Sequence, residues 1–239
     1  MNVLGKAGIP EDFAHWLESC PETLRLYVRK IAELRSGWAL TGWKTEEEIW
    51  RRGVLDSLYW TYFLGWKLEG KGIDVGCGAG FPGIPLSIVF PHLHLTLLES
   101  NRKKVAFLQE VVKALHLTNA QPVCERAEIL AHHPAHREHY DWVFSRALGS
   151  LPLIQELTLP FAKIGGKVCH LKGEEVYREI LPSLKGTQIL GGRFNFFYSY
   201  EAPGGKERET VVVVTKVMPT PQKYPRKPGI PQKRPLMHI

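Results

Sequence analysis

Cysteine is scarce in this sequence of 239 residues, and no two cysteines form a C-x-x-C pair; they are Cys20, Cys77, Cys124 and Cys169. Isolated cysteines argue against a zinc knuckle and against a disulfide framework. No apolar run approaches the roughly 20 residues of a membrane-spanning helix. The first twenty residues contain Glu11, Asp12 and Glu18 in place of the apolar core of a signal peptide. We therefore expect a cytoplasmic protein without a membrane segment.

Acidic residues are absent from the stretch Lys216 to Ile239, although the whole chain contains 24 of them and has a net charge of +7. Basic side chains in this stretch alternate with prolines, which restrict the backbone and remove amide donors. We expect residues 218–239 to be a basic tail that forms neither a helix nor a central strand. Such a tail could lie along phosphates; a solvated tail that aids solubility is the alternative.

The first part of the chain has helical periodicity. Apolar residues recur there at spacings of three and four, as in Leu55, Leu58, Tyr59, Tyr62, Phe63 and Trp66. Thr45 precedes three glutamates, which indicates a helix N-terminus. We predict an N-terminal helical extension over residues 1–66. Its tryptophans would pack the helices against the main domain, with base stacking as the alternative.

From about residue 70 the pattern changes to alternating strands and helices. This alternation predicts a doubly wound, mainly parallel α/β sheet over residues 67–217. The last two strands would form an antiparallel hairpin across the turn Pro203-Gly204-Gly205. We predict a helix at 105–116 and strands at 72–75, 93–98, 120–124, 142–145, 167–171, 194–200 and 210–215.

Three alternating glycines follow the first strand of this domain; they are Gly76, Gly78 and Gly80. Glycine accepts positive φ and lets a ligand approach the backbone. Residues 78–83 also fit the dinucleotide fingerprint G-x-G-x-x-G. However, the glycines begin directly after the strand, and Asp74 would repel a pyrophosphate. The pattern D-x-G-x-G-x-G is typical of class I methyltransferases, whose acid can organise the loop and the methionine end of the cofactor, and it favours S-adenosylmethionine.

Further candidate residues follow the next strands. Glu99 can accept hydrogen bonds from both hydroxyls of a ribose, and Ala127 with Glu128 lies where methyltransferases commonly meet the adenine edge. Arg146 could pair with the methionine carboxylate or with a substrate phosphate; a structural salt bridge is the alternative. Lys172 could meet an RNA phosphate or could be a solvated surface lysine.

The cofactor segment 74–86, DVGCGAGFPGIPL, resembles that of the RsmG (GidB) family of bacterial 16S ribosomal RNA guanine-N7 methyltransferases. Further matches are RAE at 126–128, SRA at 145–147, LKG at 171–173 and YPRKPG at 224–229, and the resemblance extends from about residue 36 to residue 236.

The resemblance implies a Rossmann-like class I methyltransferase fold. It implies S-adenosylmethionine contacts at Gly76, Phe81, Ala127, Glu128 and Arg146. It also implies a guanine in the 530 loop of 16S rRNA, at position 527, as the methyl acceptor. We predict RNA contacts, in the rRNA or the 30S subunit, at Arg146, Lys172, Arg226 and Lys227, and a monomeric enzyme.

The chain departs from the family pattern at two places in the N-terminal extension. Ala39 replaces an asparagine that members often have, and Gly53 replaces a histidine. These changes put substrate contacts of the N-terminal extension in doubt.

Some catalytic motifs are missing. The fourth strand is not followed by the N-P-P-Y or D-P-P-Y segment of exocyclic-amine methyltransferases, and no cysteine stands in the nucleophile motif of carbon-5 methyltransferases. These absences favour N7 or O-methylation. Since N7 of guanine has a free lone pair, we expect residues that position the reactants and no general base.

Other functions stay open at this point. One is a methyltransferase of the same fold that acts on a small molecule or a protein, and another is a non-enzymatic RNA-binding or assembly protein. A dinucleotide oxidoreductase would need a phosphate site free of Asp74.

Four histidines lie close together between the third and fourth predicted strands; they are His132, His133, His136 and His139. Helical spacing could place several imidazoles on one face for zinc. However, Pro134 disrupts such a helix and the H-E-x-x-H pattern is absent. We expect an exposed helix on the flank of the sheet and no metal site.

Overall fold

The computed structural model describes residues 13, 21–38, 40–65, 67–201 and 208–237. Ala39, Trp66 and the predicted turn Pro203-Gly204-Gly205 lie outside these residues. No helix in the described ranges is long and apolar enough to cross a membrane.

A seven-stranded sheet forms the centre of the molecule, with the strand order β3-β2-β1-β4-β5-β7-β6. Strands β1 to β5 are parallel, whereas β7 is antiparallel to β5 and pairs with β6 as an antiparallel hairpin. The predicted doubly wound sheet and its C-terminal hairpin are confirmed. The strands are β1 Gly70–Val75, β2 Leu93–Glu99, β3 Ala120–Cys124, β4 Tyr140–Arg146, β5 Ala162–Gly173, β6 Gly192–Glu201 and β7 Arg208–Lys216.

Helices surround this sheet and precede it in the chain. The N-terminal region contains three α-helices, a π-helical stretch Ile49–Leu55 and a 3-10 turn Trp60–Leu64 in its described residues. Further 3-10 turns are Leu159–Phe161 and Glu174–Val176. The α-helices are α1 Glu22–Trp38, α2 Glu46–Glu48, α3 Asp56–Tyr59, α4 Gly83–Val89, α5 Arg102–Ala114, α6 Ala127–Leu130, α7 Leu151–Thr158, α8 Tyr177–Ile189 and α9 Ile230–Lys233.

The core has two halves, one on each face of the sheet, because successive side chains of a strand point to opposite faces. On β4, Phe144 packs with the N-terminal helices, α4 and α5, whereas its neighbour Val143 packs with α7 and with Tyr224 and Leu236 of the C-terminal segment. The N-terminal and C-terminal segments therefore cover opposite faces.

The N-terminal region is helical as predicted in the described residues. Thr45 caps α2 through a capping box with Glu48, which satisfies amides that the helix leaves unpaired. Trp60 is fully buried, and Trp43 and Trp50 pack against the core. These three tryptophans have the packing role that we predicted.

Two local predictions are wrong. The tail contains one helical turn, α9, because Pro231 stands in the first turn of a helix, where a missing amide hydrogen costs nothing. Residues 131–138 form turns and not the expected exposed helix, since Pro134 interrupts the helical hydrogen bonds. In this turn segment His132 contacts the carbonyl of Pro225, and His136 contacts the hydroxyl of Tyr140. No group of metal-ligating side chains is found in the described ranges.

Candidate active site

The glycine loop leaves the carboxyl end of β1 and leads into α4. Gly76, Gly78 and Gly80 all have positive φ, at 71°, 58° and 103°. A Cβ at Gly78 would have no neighbour within 4 Å, so one side of the loop backbone is open. The three glycines therefore have the conformations that the sequence predicts, at the edge of a parallel sheet where ligands bind.

Asp74 lies beneath this loop and is completely buried. Its Oδ2 accepts a hydrogen bond from the Gly83 amide at 2.8 Å, and its Oδ1 has no hydrogen-bond partner in the described part of the chain. Burial raises the pKa of Asp74 to about 7; the Gly83 amide opposes this change and the charge of Glu99 adds to it. A buried carboxylate with an unused oxygen suits a cationic group, because an opposite charge favours its ionised form.

Glu99 ends β2 and contacts the same loop. Its Oε2 accepts a hydrogen bond from the Gly78 amide at 3.0 Å, and its Oε1 accepts one from the Asn101 amide at 2.8 Å. Each carboxylate oxygen can accept a further hydrogen bond. The contacts fix the carboxylate beside the loop, and a ribose contact of Glu99 stays a prediction.

Ala127 and Glu128 form one wall of a cleft next to Gly76. The cleft is also lined by Ser100 and by the side chains of Leu148 and Leu157, and its volume is about 90 Å³. Leu148 covers Gly76, since a Cβ at residue 76 would lie 2.5 Å from Cδ1 of Leu148. The Leu148 side chain therefore lies between the cleft and the backbone of Gly76.

The glycine loop is also held from the N-terminal side. The hydroxyl of Tyr27, in α1, donates a hydrogen bond of 2.6 Å to the carbonyl of Ala79. The ring of Phe81 packs against Tyr27 and Trp43, with centroid distances of 5.3 and 5.5 Å. A Cβ at Gly53 would lie 2.6 Å from Cζ of Phe81. Glycine at position 53 therefore permits this packing, and a glycine inside a helical pattern is the sequence signal for such a close approach.

Arg146, at the end of β4, is engaged with the N-terminal region. Its Nη2 lies 2.6 Å from Oδ2 of Asp56 and 2.6 Å from the carbonyl oxygen of Arg52, and its guanidinium lies over the ring of Trp43. Asp56 also accepts a hydrogen bond of 2.9 Å from Tyr200. Burial raises the pKa of Asp56, and the charge of Arg146 opposes that shift. The structural salt bridge considered for Arg146 is present; its cofactor and RNA contacts stay predictions. Asp56 was not among the residues predicted from the sequence.

The other basic candidates differ in their exposure. Arg226 makes three hydrogen bonds to Glu156, and Lys172 pairs with Glu179 at 3.0 Å. Lys227 is exposed. The alternative of a solvated lysine does not hold for Lys172, and its RNA contact stays a prediction. The ion pair of Arg226 occupies the group that we assigned to RNA. Lys227 is left accessible to a phosphate.

Solved structures with a similar fold are methyltransferases and related enzymes. A SAM-dependent methyltransferase from Aquifex aeolicus aligns with a TM-score of 0.52 and 18% identity, over 70% of this chain and 93% of that chain. TYW2 from M. jannaschii, solved in complex with AdoMet, aligns with a TM-score of 0.50 and 16% identity, over 62% of this chain and 70% of that chain. These similarities establish a Rossmann-like class I methyltransferase fold.

Sequence relatives are closer. The ribosomal RNA small subunit methyltransferase G of Roseiflexus castenholzii is 43% identical over 88% of this chain and 91% of that protein. Those of Alkaliphilus metalliredigens and Brevibacillus brevis are 39% and 36% identical; the first covers 97% of both chains, and the second covers 88% of this chain and 89% of that protein. The family model GidB, described as rRNA small subunit methyltransferase G, matches residues 21–210. The chain therefore belongs to the GidB family of rRNA small subunit methyltransferases.

Proposed function

We propose that this protein methylates N7 of a guanine in the 530 loop of 16S rRNA, at position 527, with S-adenosylmethionine as the methyl donor. The observation that carries the proposal is the open glycine loop above a buried carboxylate with an unused oxygen, Oδ1 of Asp74. Family membership supports a small-subunit rRNA substrate. The guanine, its N7 atom and the 530 loop come from the motif resemblance.

The residues of the site fit this cofactor in their chemistry. Asp74 would face its cationic methionine end, Glu99 would accept hydrogen bonds from its ribose, and Ala127 with Glu128 would meet its adenine. When bound, S-adenosylmethionine supplies a methyl group on a positively charged sulfur. That methyl group would pass to the lone pair of N7 of guanine, and the electron pair of the carbon–sulfur bond would stay on sulfur.

The protein has to position the two reactants, because N7 of guanine carries a lone pair and no proton must be removed. The glycine loop would hold the donor, and Arg146 lies at the same edge, where the acceptor has to arrive. The tie of Arg146 to Asp56 fixes its guanidinium. Preorganisation of this kind reduces the entropy that binding would otherwise cost. The site therefore needs no general base.

The substrate surface would be basic. Exposed cations near the predicted cofactor edge include Arg102 and Lys103 at the start of α5 and Lys227 in the tail. With a net charge of +7, such a surface attracts the phosphates of rRNA or of the 30S subunit. The protein would act as a cytoplasmic monomer.

A methyl-transfer assay tests the proposal. Labelled S-adenosylmethionine is offered with free 16S rRNA and with 30S subunits from a strain that lacks the corresponding activity, and the product is identified by mass and mapped on the rRNA. We expect 7-methylguanosine at position 527, and the Gly76→Asp variant should reduce the yield more than about 100-fold, because a side chain and a charge are placed in the left-handed loop. Binding of S-adenosylmethionine without label in either RNA would contradict the rRNA substrate.

A further inference from the structure

The C-terminal segment, residues 220–236, is tied down at several points on the face of the sheet that carries α7. The guanidinium of Arg137 donates hydrogen bonds to the carbonyl oxygens of Thr220 and Tyr224, at 2.7 and 3.0 Å. The side chains of Tyr224 and Leu236 are buried. The segment is therefore part of the packed structure.

A second set of hydrogen bonds joins this segment to helix α7, which lines the cleft through Leu157. Arg226 donates three hydrogen bonds to the fully buried carboxylate of Glu156, from its amide, Nε and Nη2, at 2.8, 2.9 and 2.6 Å. The same Nη2 donates to the carbonyl of Arg234, so both ends of the turn around Gly229 are held. Leu157, the neighbour of Glu156 in α7, lines the cleft beside Gly76.

A third contact is a hydrogen bond to Glu128, a residue of the predicted cofactor site. Gly229 has a φ of 81°, and its amide donates a hydrogen bond of 3.1 Å to Oε1 of Glu128. The same oxygen accepts a hydrogen bond of 2.7 Å from Arg126, and the Glu128 side chain is almost fully buried. Burial alone would raise the pKa of Glu128, but the bonds from Arg126 and Gly229 hold it below its usual value. Two donors, one of them from the C-terminal segment, therefore keep this carboxylate ionised and oriented.

We propose that the C-terminal segment is a positioning element of the cofactor site: Arg226 holds the turn whose Gly229 amide orients Glu128 in the wall that would receive the adenine. This inference rests on the proposed use of S-adenosylmethionine. It replaces the RNA contact predicted for Arg226. Since coupling between two events is reciprocal, binding of the cofactor should also strengthen the docking of the segment.

One test needs no substitution. Hydrogen–deuterium exchange of the unmodified protein is followed in the peptide that contains Gly229, with and without saturating S-adenosylmethionine. We expect exchange there to slow about tenfold on binding, because a ligand stabilises the contacts that favour it. Peptides of the edge strand β6, which contributes no residue to the cleft, serve as an internal reference.

A second test measures the dissociation constant of S-adenosylmethionine by calorimetry in folded variants. We expect Arg226→Met to weaken binding about tenfold, as for the loss of one hydrogen bond, and Arg226→Lys to weaken it less. Lys233→Met removes a charge from the same segment, and its exposed side chain has no hydrogen-bond or ion-pair partner in the described residues. This control should bind like the unmodified protein.

The outcomes separate the two proposals. If the unmodified protein binds no S-adenosylmethionine, the proposed function fails and this inference fails with it. If it binds, while Arg226→Lys binds as tightly and exchange at Gly229 does not respond, the C-terminal segment has only a structural role and the inference alone is overturned. Should Arg226→Met not fold, Arg226→Lys and the exchange measurement still decide.

Discussion

The N-terminal and C-terminal segments are attached to opposite faces of the domain, each by an ion pair between an arginine and a buried carboxylate. The N-terminal segment supplies the carboxylate of its pair, and the C-terminal segment supplies the arginine. On the N-terminal side, Asp56 of the extension binds Arg146 of the domain; on the C-terminal side, Arg226 of the tail binds Glu156 of the domain. Both pairs have a separation of 2.6 Å, with carboxylates that are 1% and 0% exposed. A buried charge pair beside the predicted cofactor edge therefore joins each extension to the domain, in addition to its other contacts.

The two pairs differ in how completely the carboxylate is satisfied. Glu156 accepts three hydrogen bonds from Arg226, whereas Asp56 accepts one from Tyr200 on Oδ1 and has only the ion pair with Arg146 on Oδ2. A third buried carboxylate, Asp74, has no ion-pair partner among the described residues. Charge pairs therefore hold the two extensions, whereas a contact of the Asp74 carboxylate with a cationic group stays a prediction.

The largest effect on stability is expected for Arg226→Met. This change leaves Glu156 buried with only the amide of residue 226 as a partner, and an uncompensated buried charge costs about 4 kcal/mol of unfolding free energy. Urea denaturation without cofactor measures the loss. The matched control is Arg178→Met, which breaks an exposed pair with Glu175 and should cost at most about 0.5 kcal/mol. Equal losses would show that burial does not distinguish the two pairs.

A smaller effect is expected for Arg146→Met, about 3 kcal/mol, because Asp56 keeps its bond from Tyr200. The pKa of Asp56 is already raised, and it should rise further when the arginine is lost. Ionisation of such a group costs stability as the pH increases above its unfolded pKa. The loss of unfolding free energy in Arg146→Met, relative to the unmodified protein, should therefore increase from pH 5 to pH 8. A loss that decreases over this pH range would contradict an ion pair between Arg146 and Asp56.

The smallest effect is expected for Asp74, in the change of the affinity for S-adenosylmethionine with pH. Since the pKa of Asp74 is about 7, the fraction that is ionised increases between pH 6 and pH 7.5. An ionised carboxylate favours a cation, so the affinity for S-adenosylmethionine should increase about eightfold over this range, with release of a proton. Calorimetry in two buffers measures both quantities.

The control for this prediction is Asp74→Asn, whose side-chain oxygen can still accept the bond from Gly83. Its affinity should change with pH less than that of the unmodified protein. If the affinity of both proteins changes equally with pH, Asp74 does not face the cation, and it does not differ from Asp56 and Glu156 in the way proposed.

The amino-acid sequence by itself determined the positions of the seven strands along the chain, the glycine loop and the helix cap at Thr45. These features depend on local backbone preferences and on periodic burial, which adjacent residues encode. The loop residues Asp74, Gly76, Gly78 and Gly80 and the neighbouring Glu99 could be proposed for this reason.

Only the tertiary structure decided which charged and polar side chains pair with each other. Arg226 and Glu156 are separated by 70 positions, and Tyr200 and Asp56 by 144; no spacing rule connects them. Whether an arginine faces RNA or a buried carboxylate depends on the desolvation of its partner, and burial is a property of the folded chain. For the same reason the tail, whose composition is that of a solvated segment, could be recognised as a packed segment in contact with Glu128 of the cleft wall only after its contacts were known.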